Sequence, residues 1–339
     1  MKRICVIGLG YIGLPTATIL ANNSYLVEGI DINEDIVNSI NKGKVHFVEK
    51  GLKEQLEKAI KSERLCAKTR PSKADIYLIA VPTPFLKECG VVPKPDLSHI
   101  YESIDSIAPL IKKGDLIIIE STCPVGTTEN VISRIVNLSK VSKDEFFICY
   151  CPERVIPGNI LYELINNDRV IGGINKRSSD EGEIFYKSFC KGKIIKTNSN
   201  TAEMVKLSEN AFRDVNIAFA NELSILCEEL NINVDELINL ANHHPRVNIL
   251  KPGCGVGGHC IAVDPWFIVS NNEENAELIK QARFTNLKKT NWVFNKIKNI
   301  SKELELELKR KPIIGFMGIS FKANIDDIRE SPALKIVEK

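Results

Sequence analysis

The residues with the clearest chemical capacity lie in Gly253-Cys254-Gly255-Val256-Gly257-Gly258-His259-Cys260-Ile261-Ala262-Val263-Asp264. Four glycines in six residues let the backbone fold closely around a ligand, and a helix predicted to start beneath Cys260 would lower its thiol pKa through the helix dipole. Cys260 is therefore a candidate nucleophile. A cysteine is more often a small buried hydrophobe, as the nine others here are expected to be; Cys260 alone combines a glycine-rich approach with a helix start. His259 adjoins it, but neighbours in sequence rarely form a catalytic pair. Cys149-x-Cys151 with Cys254 lacks the paired spacing of structural zinc, so no metal is expected.

Lys206 and Asn210 are one helical turn apart, and Asp214 continues the same stripe. Such a stripe is either the wall of a cleft or a solvated face. Near the start, Gly8-Leu9-Gly10-Tyr11-Ile12-Gly13 stands between a strand pattern and a helix pattern, with Asp31 ending the next strand pattern 18 residues beyond Gly13. That context is the one a dinucleotide needs. Gly8 permits the tight turn, Gly10 lets backbone approach a pyrophosphate, Gly13 allows close helix–strand packing, and the helix N-terminus offers N–H groups to the anion. Asp31 would accept hydrogen bonds from the ribose 2′- and 3′-hydroxyls and repel a 2′-phosphate, selecting NAD over NADP. Two further loops, Val81-Pro82-Thr83-Pro84 and Glu120-Ser121-Thr122-Cys123-Pro124-Val125-Gly126, end later strands; they are candidate cofactor walls unless Pro and Gly merely stop the strands.

The elements that must carry these residues follow from periodicity. Strand Lys2–Ile7, helix Ile12–Asn22 and strand Tyr25–Ile30 form a βαβ unit, and apolar runs at Ile76–Val81, Leu116–Glu120 and Phe146–Cys151 alternate with helical patterns at Leu97–Ile111 and Thr128–Leu138. Alternation predicts an α/β fold with a doubly wound parallel sheet of Rossmann type. Beyond it, Thr201–Leu230 and Glu274–Leu308 predict long helices. Near the end, the apolar run Ile313–Ile319 reads as a strand and Ala333–Glu338 as a helix with Pro332 at its first position, a new βα unit.

At 339 residues the chain spans about two domains on the usual prior. Lys and Arg (45) nearly balance Asp and Glu (43), so no basic field exists for a nucleic acid, which is not an expected partner. The uncharged run Ile4–Ala21 follows Lys2-Arg3, but Gly8, Gly10, Gly13 and Pro15 break it, and no membrane insertion is expected. Ten cysteines in a chain this long form no dense disulfide framework, and reduced thiols in a cytoplasmic protein are expected.

Taken together, the glycine fingerprint, Val81-x-Thr83-Pro84, Glu120-Ser121-Thr122, Cys151-Pro152-Glu153, Lys206-Leu207-x-x-Asn210, Gly257-Gly258-x-Cys260-x-x-x-Asp264, and Phe321-Lys322 followed by Arg329-Glu330-Ser331 resemble the UDP-glucose/GDP-mannose dehydrogenase family over essentially the whole chain. Within it, Cys151–Gly158 and Val256–Phe267 are similar to the branch acting on UDP-N-acetyl-D-mannosamine rather than the UDP-glucose branch, with enzymes of UDP-N-acetylglucosamine as near neighbours.

The resemblance implies a four-electron, NAD-dependent oxidation of a sugar C6 hydroxyl through a thiohemiacetal and a thioester on Cys260. Lys206 and Asn210 would stabilise the alkoxide, Asp264 with a water would accept protons, and Glu153 and Thr122 would organise the hydrolytic water. NAD would be held by Gly8, Gly10, Tyr11, Ile12, Gly13, Asp31, Thr83, Thr122 and Arg329, and the UDP-sugar by Glu153, Arg154, Val155, Lys206, Asn210, Arg246, His259 and Lys322. It further implies an NAD-binding domain at 1–198, a helical central domain at 199–308 whose long helix makes a homodimer or higher homo-oligomer, and the incomplete beginning of a UDP-binding, second Rossmann-like domain at 309–339. A non-catalytic NAD-binding dimer is the alternative of a different class.

Overall fold

The computed structural model describes residues 2–86, 91–322 and 327–339. In chain order its elements are β1 (Arg3–Ile7), α1 (Gly13–Asn22), β2 (Leu26–Ile30), α2 (Glu34–Asn41), α3 (Leu52–Lys61), β3 (Leu65–Lys68), β4 (Ile76–Ile79), α4 (Ser98–Ile107), β5 (Leu116–Ile119), α5 (Thr127–Ser139), β6 (Phe147–Tyr150), α6 (Ile160–Asn166), β7 (Arg169–Gly173), α7 (Lys176–Lys187) and β8 (Ile194–Asn198). The long α8 (Ser199–Glu229), then α9 (Val234–Ala241), α10 (Asp264–Asn271), α11 (Glu277–Leu308) and α12 (Pro332–Glu338) complete it. The described residues divide into two compact units, the first running to Lys206 and the second from Leu207, with 91–94 grouped with the second.

The first unit is one sheet in the order β3-β2-β1-β4-β5-β6-β7-β8. Its strands show why they lie inside such a sheet. Ile4 and Val6, Ile76 and Leu78, Leu116 and Ile118 face one buried cluster, while Cys5 and Ile7, Tyr77 and Ile79, Ile117 and Ile119 face another. Period-2 alternation with both faces apolar is what helices on both sides demand. The strands expected from the sequence, now β1, β2, β4, β5 and β6, are all parallel, as the alternation predicts. Beyond them the structure adds β7, which pairs with β6 antiparallel, and β8, which runs parallel to β7. A connection that contains a helix fits either strand direction, so alternation alone carries no sign of the reversal.

Among its described residues the second unit is helical. The run Ile313–Ile319, expected as a strand, forms no ladder there, and Ile313 is 94% and Met317 103% exposed. A strand needs neighbours to satisfy its backbone, and the described residues of this unit supply none. The helix after it does form: Ser331 caps α12 by accepting a hydrogen bond from Leu334 N–H, with Pro332 in its first turn.

Candidate active site

The glycine turn between β1 and α1 is shaped for a ligand. Gly8 has φ +87°, and a Cβ there would lie 2.5 Å from the Ala80 carbonyl oxygen; one at Gly13 would lie 1.7 Å from the Gly8 carbonyl oxygen. At Gly10 a Cβ would meet nothing within 4 Å, which leaves the space beside the turn open at the N-terminal end of α1, the end that favours an anion. Asp31, following β2, is tied into the same turn: one carboxylate oxygen accepts Leu9 N–H at 3.1 Å and the other Asn33 N–H at 3.0 Å. A carboxylate has about four acceptor sites, so capacity remains for two ribose hydroxyls. These residues fit NAD. Asp31→Ser is expected to weaken NAD by about 1–3 kcal/mol, the usual worth of a charged hydrogen bond, and to improve NADP use; an unchanged NAD/NADP preference in steady-state kinetics would refute the role.

The two candidate wall loops are joined to each other. Val81 N–H donates to Ser121 Oγ at 2.9 Å, and the hydroxyl of buried Thr83 donates to the Thr122 carbonyl oxygen at 2.7 Å. Behind them stand two groups that sequence reading passed over, Glu203 and Arg169. Glu203 on α8 accepts Gly126 N–H at 2.6 Å and Thr128 N–H and hydroxyl at 2.8 and 2.7 Å, capping α5, whose own N-cap is a glycine with no side chain to do so. Arg169, Glu120 and Glu153 are buried together, Arg169 Nη1 lying 3.9 Å from one carboxylate and 3.5 Å from the other. Burial first, then the Glu153 charge, push the Glu120 carboxyl up to about 7 against the pull of Arg169 and Tyr186. The readable signal was a charge at the end of an apolar strand: Arg169 opens β7, and Glu120 directly follows β5.

Lys206 reaches the same place. Its ammonium donates to the Glu153 carbonyl oxygen at 2.7 Å. Arg154 turns aside, donating from Nη1 to the Asp168 carbonyl oxygen at 3.2 Å, and Val155 packs on the apolar core. Tyr11 stacks on Phe47 with centroids 4.4 Å apart.

In the second unit, Asn210 on α8 donates its amide to Asp264 Oδ2 at 2.5 Å, both side chains being buried. Asp264 is the first residue of α10, so Cys260 is not at the helix start as expected but one turn ahead of it. Its carbonyl oxygen accepts Val263 N–H at 3.0 Å and Asp264 N–H at 2.8 Å, which continues the helical path backwards and leaves the side chain exposed. The glycine loop before it is clasped from downstream. Gly258 N–H donates to the Arg329 carbonyl oxygen at 3.0 Å, and a Cβ at Gly258 would lie 2.8 Å from the Phe321 ring. His259 lies within this clasp, its pKa held below the usual imidazole value by burial and then by the Arg329 charge. Arg329 itself pairs with Asp327 at 2.6 Å, while Lys322 and Arg246 are exposed.

The stripe on α8 separates into different roles. Asp214 is fully buried, pairs with Arg283 of α11 at 2.6 Å and accepts from Asn286 at 2.8 Å, so it is neither a cleft wall nor a solvated face. Asn221 extends that network, donating to Asn286 at 2.8 Å and accepting Gly253 N–H at 2.8 Å, which anchors the base of the glycine loop. Among the described residues no group of His, Cys, Asp or Glu is arranged to hold a metal ion, and no helix is long and apolar enough to cross a membrane.

Comparison with known proteins agrees with this architecture. Residues 2–190 match the NAD binding domain, and residues 200–288 the central domain, of the UDP-glucose/GDP-mannose dehydrogenase family. The chain is 52% identical to a UDP-N-acetyl-D-mannosamine dehydrogenase of Campylobacter jejuni, across 100% of this chain and 83% of that protein. It is 50% identical to an NDP-N-acetyl-D-galactosaminuronic acid dehydrogenase of Ralstonia nicotianae, across 99% of this chain and 79% of that one. A solved structure of a UDP-D-ManNAc dehydrogenase from Pyrococcus horikoshii superposes with a TM-score of 0.91 at 41% identity, covering 99% of this chain and 80% of that one. A Rossmann-like unit with an NAD turn, followed by long helices carrying a cysteine loop, defines an NAD-dependent nucleotide-sugar dehydrogenase, and the chain belongs to the UDP-glucose/GDP-mannose dehydrogenase family.

Proposed function

We propose that this chain oxidises the C6 hydroxyl of a UDP-N-acetylhexosamine, UDP-N-acetyl-D-mannosamine first among them, to the uronate. The observation that carries the reading is the paired set of Lys206 on the Glu153 segment and Asn210 on Asp264, with Cys260 exposed one turn before α10. NAD, when bound, supplies a hydride acceptor twice per sugar. Asp264, with a water, takes the proton from the alcohol, and Lys206 and Asn210 offer N–H donors to the oxygen as its charge develops. The Cys260 thiolate adds to the aldehyde carbon to form a thiohemiacetal, whose oxidation leaves a thioester on Cys260. Water attacks the acyl carbon, the C–S bond breaks, thiolate leaves, and Glu153, with Thr122, takes the water's proton. Arg154, Val155, His259, Arg246 and Lys322 contribute to holding the UDP-sugar, and Arg329 to holding the cofactor.

The Ralstonia relative favours a second reading, an N-acetylgalactosamine-type sugar, which differs from the mannosamine one in the configuration of two hydroxyl-bearing or amide-bearing carbons. A panel of UDP-N-acetylmannosamine, UDP-N-acetylglucosamine, UDP-N-acetylgalactosamine and UDP-glucose, with NADH and uronate quantified, distinguishes them. The highest kcat/KM is expected for the mannosamine sugar. Failure to oxidise any N-acetylhexosamine would remove the proposal.

We further place 1–198, 199–308 and 309–339 as NAD-binding, central and UDP-binding portions, and the protein in the cytoplasm as a homodimer. Exposed Phe212, Phe219 and Leu226 recur every seven residues along α8, an apolar stripe whose burial against a second copy is favourable. The described cysteines form no disulfide, which suits a reducing compartment. Sedimentation velocity is expected to give a dimer or larger at micromolar concentration, and a monomer there would refute the interface.

A further inference from the structure

The Glu153 carboxylate is held by a buried cation. Arg169 enters from the first residue of β7 with only 5% of its side chain exposed. Its Nη2 donates to the Leu164 carbonyl oxygen at 3.0 Å, its Nη1 donates to Cys151 Sγ at 3.8 Å, and the Tyr186 ring lies 4.7 Å from the guanidinium carbon. From that fixed seat Nη1 lies 3.5 Å from Glu153 Oε2 and 3.9 Å from Glu120 Oε1, and Tyr186 donates its hydroxyl to Glu120 at 2.6 Å. The other Glu153 oxygen accepts Arg154 N–H at 2.7 Å, and Lys206 takes the Glu153 carbonyl oxygen. Glu153 is thus hydrogen-bonded at its main chain and at Oε1, while Oε2 is oriented by the charge of Arg169 alone.

A buried ion cluster is seldom the most stable way to fill space, since apolar groups of the same volume often do as well. This one also leaves Glu153 Oε2, Glu120 Oε2 and Arg169 Nε buried without a hydrogen bond. A cluster that incomplete is ill suited to packing alone but well suited to aiming one carboxylate. We propose that Arg169 is a positioning residue for Glu153, holding its carboxylate in the orientation that thioester hydrolysis requires, with Glu120 and Tyr186 steadying the guanidinium. The inference rests on the hydrolytic role given to Glu153 above.

The test uses the full chain with NAD and UDP-N-acetyl-D-mannosamine, comparing Arg169→Gln, Arg169→Lys and Glu153→Gln. NADH is followed through the first turnover, and the acyl group on Cys260 is measured by intact-protein mass after acid quench. A positioning role predicts that Arg169→Gln keeps the sugar KM within about threefold, lowers kcat at least about tenfold, and accumulates acyl-enzyme after a near-normal NADH burst. Arg169→Lys retains the charge and loses the planar fork, so it recovers part of the rate and accumulates less. A merely structural role would reduce the active fraction and melting temperature without acyl-enzyme build-up, and that result overturns the inference. Should the Arg169 variants fail to fold, Tyr186→Phe, which removes only the hydroxyl on Glu120, decides: slower deacylation supports the inference and a wild-type profile overturns it. Build-up in Glu153→Gln but not in Arg169→Gln defeats this inference alone. No build-up in Glu153→Gln removes the role of Glu153 itself, and the inference falls with it.

Discussion

Replacing Cys260 with alanine is expected to abolish uronate formation, lowering it by on the order of 10⁴-fold or more, and to end a stoichiometry of two NADH per sugar. The reason lies in the second oxidation. An alcohol can release a hydride once its proton is removed, but an aldehyde cannot do so readily until a nucleophile has added to its carbonyl and placed an oxyanion on the same carbon. Cys260 is the exposed thiol at the end of the glycine loop, held by two backbone hydrogen bonds to its carbonyl oxygen. Cys254 in the same loop is the natural control, because it is half-buried and burial pushes its thiol pKa up, away from thiolate at neutral pH. Cys254→Ser is therefore expected to keep the two-NADH stoichiometry. Mass-spectrometric uronate measured against NADH decides the matter: full uronate from Cys260→Ala, or one NADH per wild-type turnover, would sink the covalent route.

Lys206→Ala is expected to lower kcat by about 10²–10³-fold, the usual loss when one donor to a developing oxyanion is removed. The KM for the sugar should move by less than about fivefold, since the donor acts on charge that exists mainly in the transition state. Lys206 is half-buried, and its ammonium is oriented by the Glu153 carbonyl oxygen at 2.7 Å, which leaves two further N–H donors on the same nitrogen. Alanine removes the charge and that tether together. Lys206→Arg separates them, because a guanidinium keeps the charge but cannot occupy the space of a compact ammonium, and it is expected to recover only a small part of the rate. A change confined to KM in steady-state kinetics would make Lys206 a binding residue.

Much of this was legible in the chain itself. The glycine fingerprint between strand and helix patterns, and Asp31 at the next strand's end, determine a dinucleotide turn because each depends only on local spacing and on conformations that glycine alone adopts freely. The long helices α8 and α11 follow from runs free of Gly and Pro, and the order of the short motifs is sufficient for the family. What tertiary structure decided concerns partners distant in sequence. Asp214 shares a helical stripe with Asn210, yet it is buried on Arg283, 69 residues away, while Asn210 meets Asp264, 54 residues away. Nothing in a period of 3.6 says which polar residue will find a buried partner, because the choice is made by the helix packed opposite. The reversal of β7, the cap that Glu203 places on α5 and the Arg169 cluster have the same origin. The start of α10 at Asp264 also waited for the structure, because a glycine-rich approach is compatible with several helix starts. Local pattern determines which backbone conformations are cheap; long-range packing determines which charges lie close enough together to act as one site.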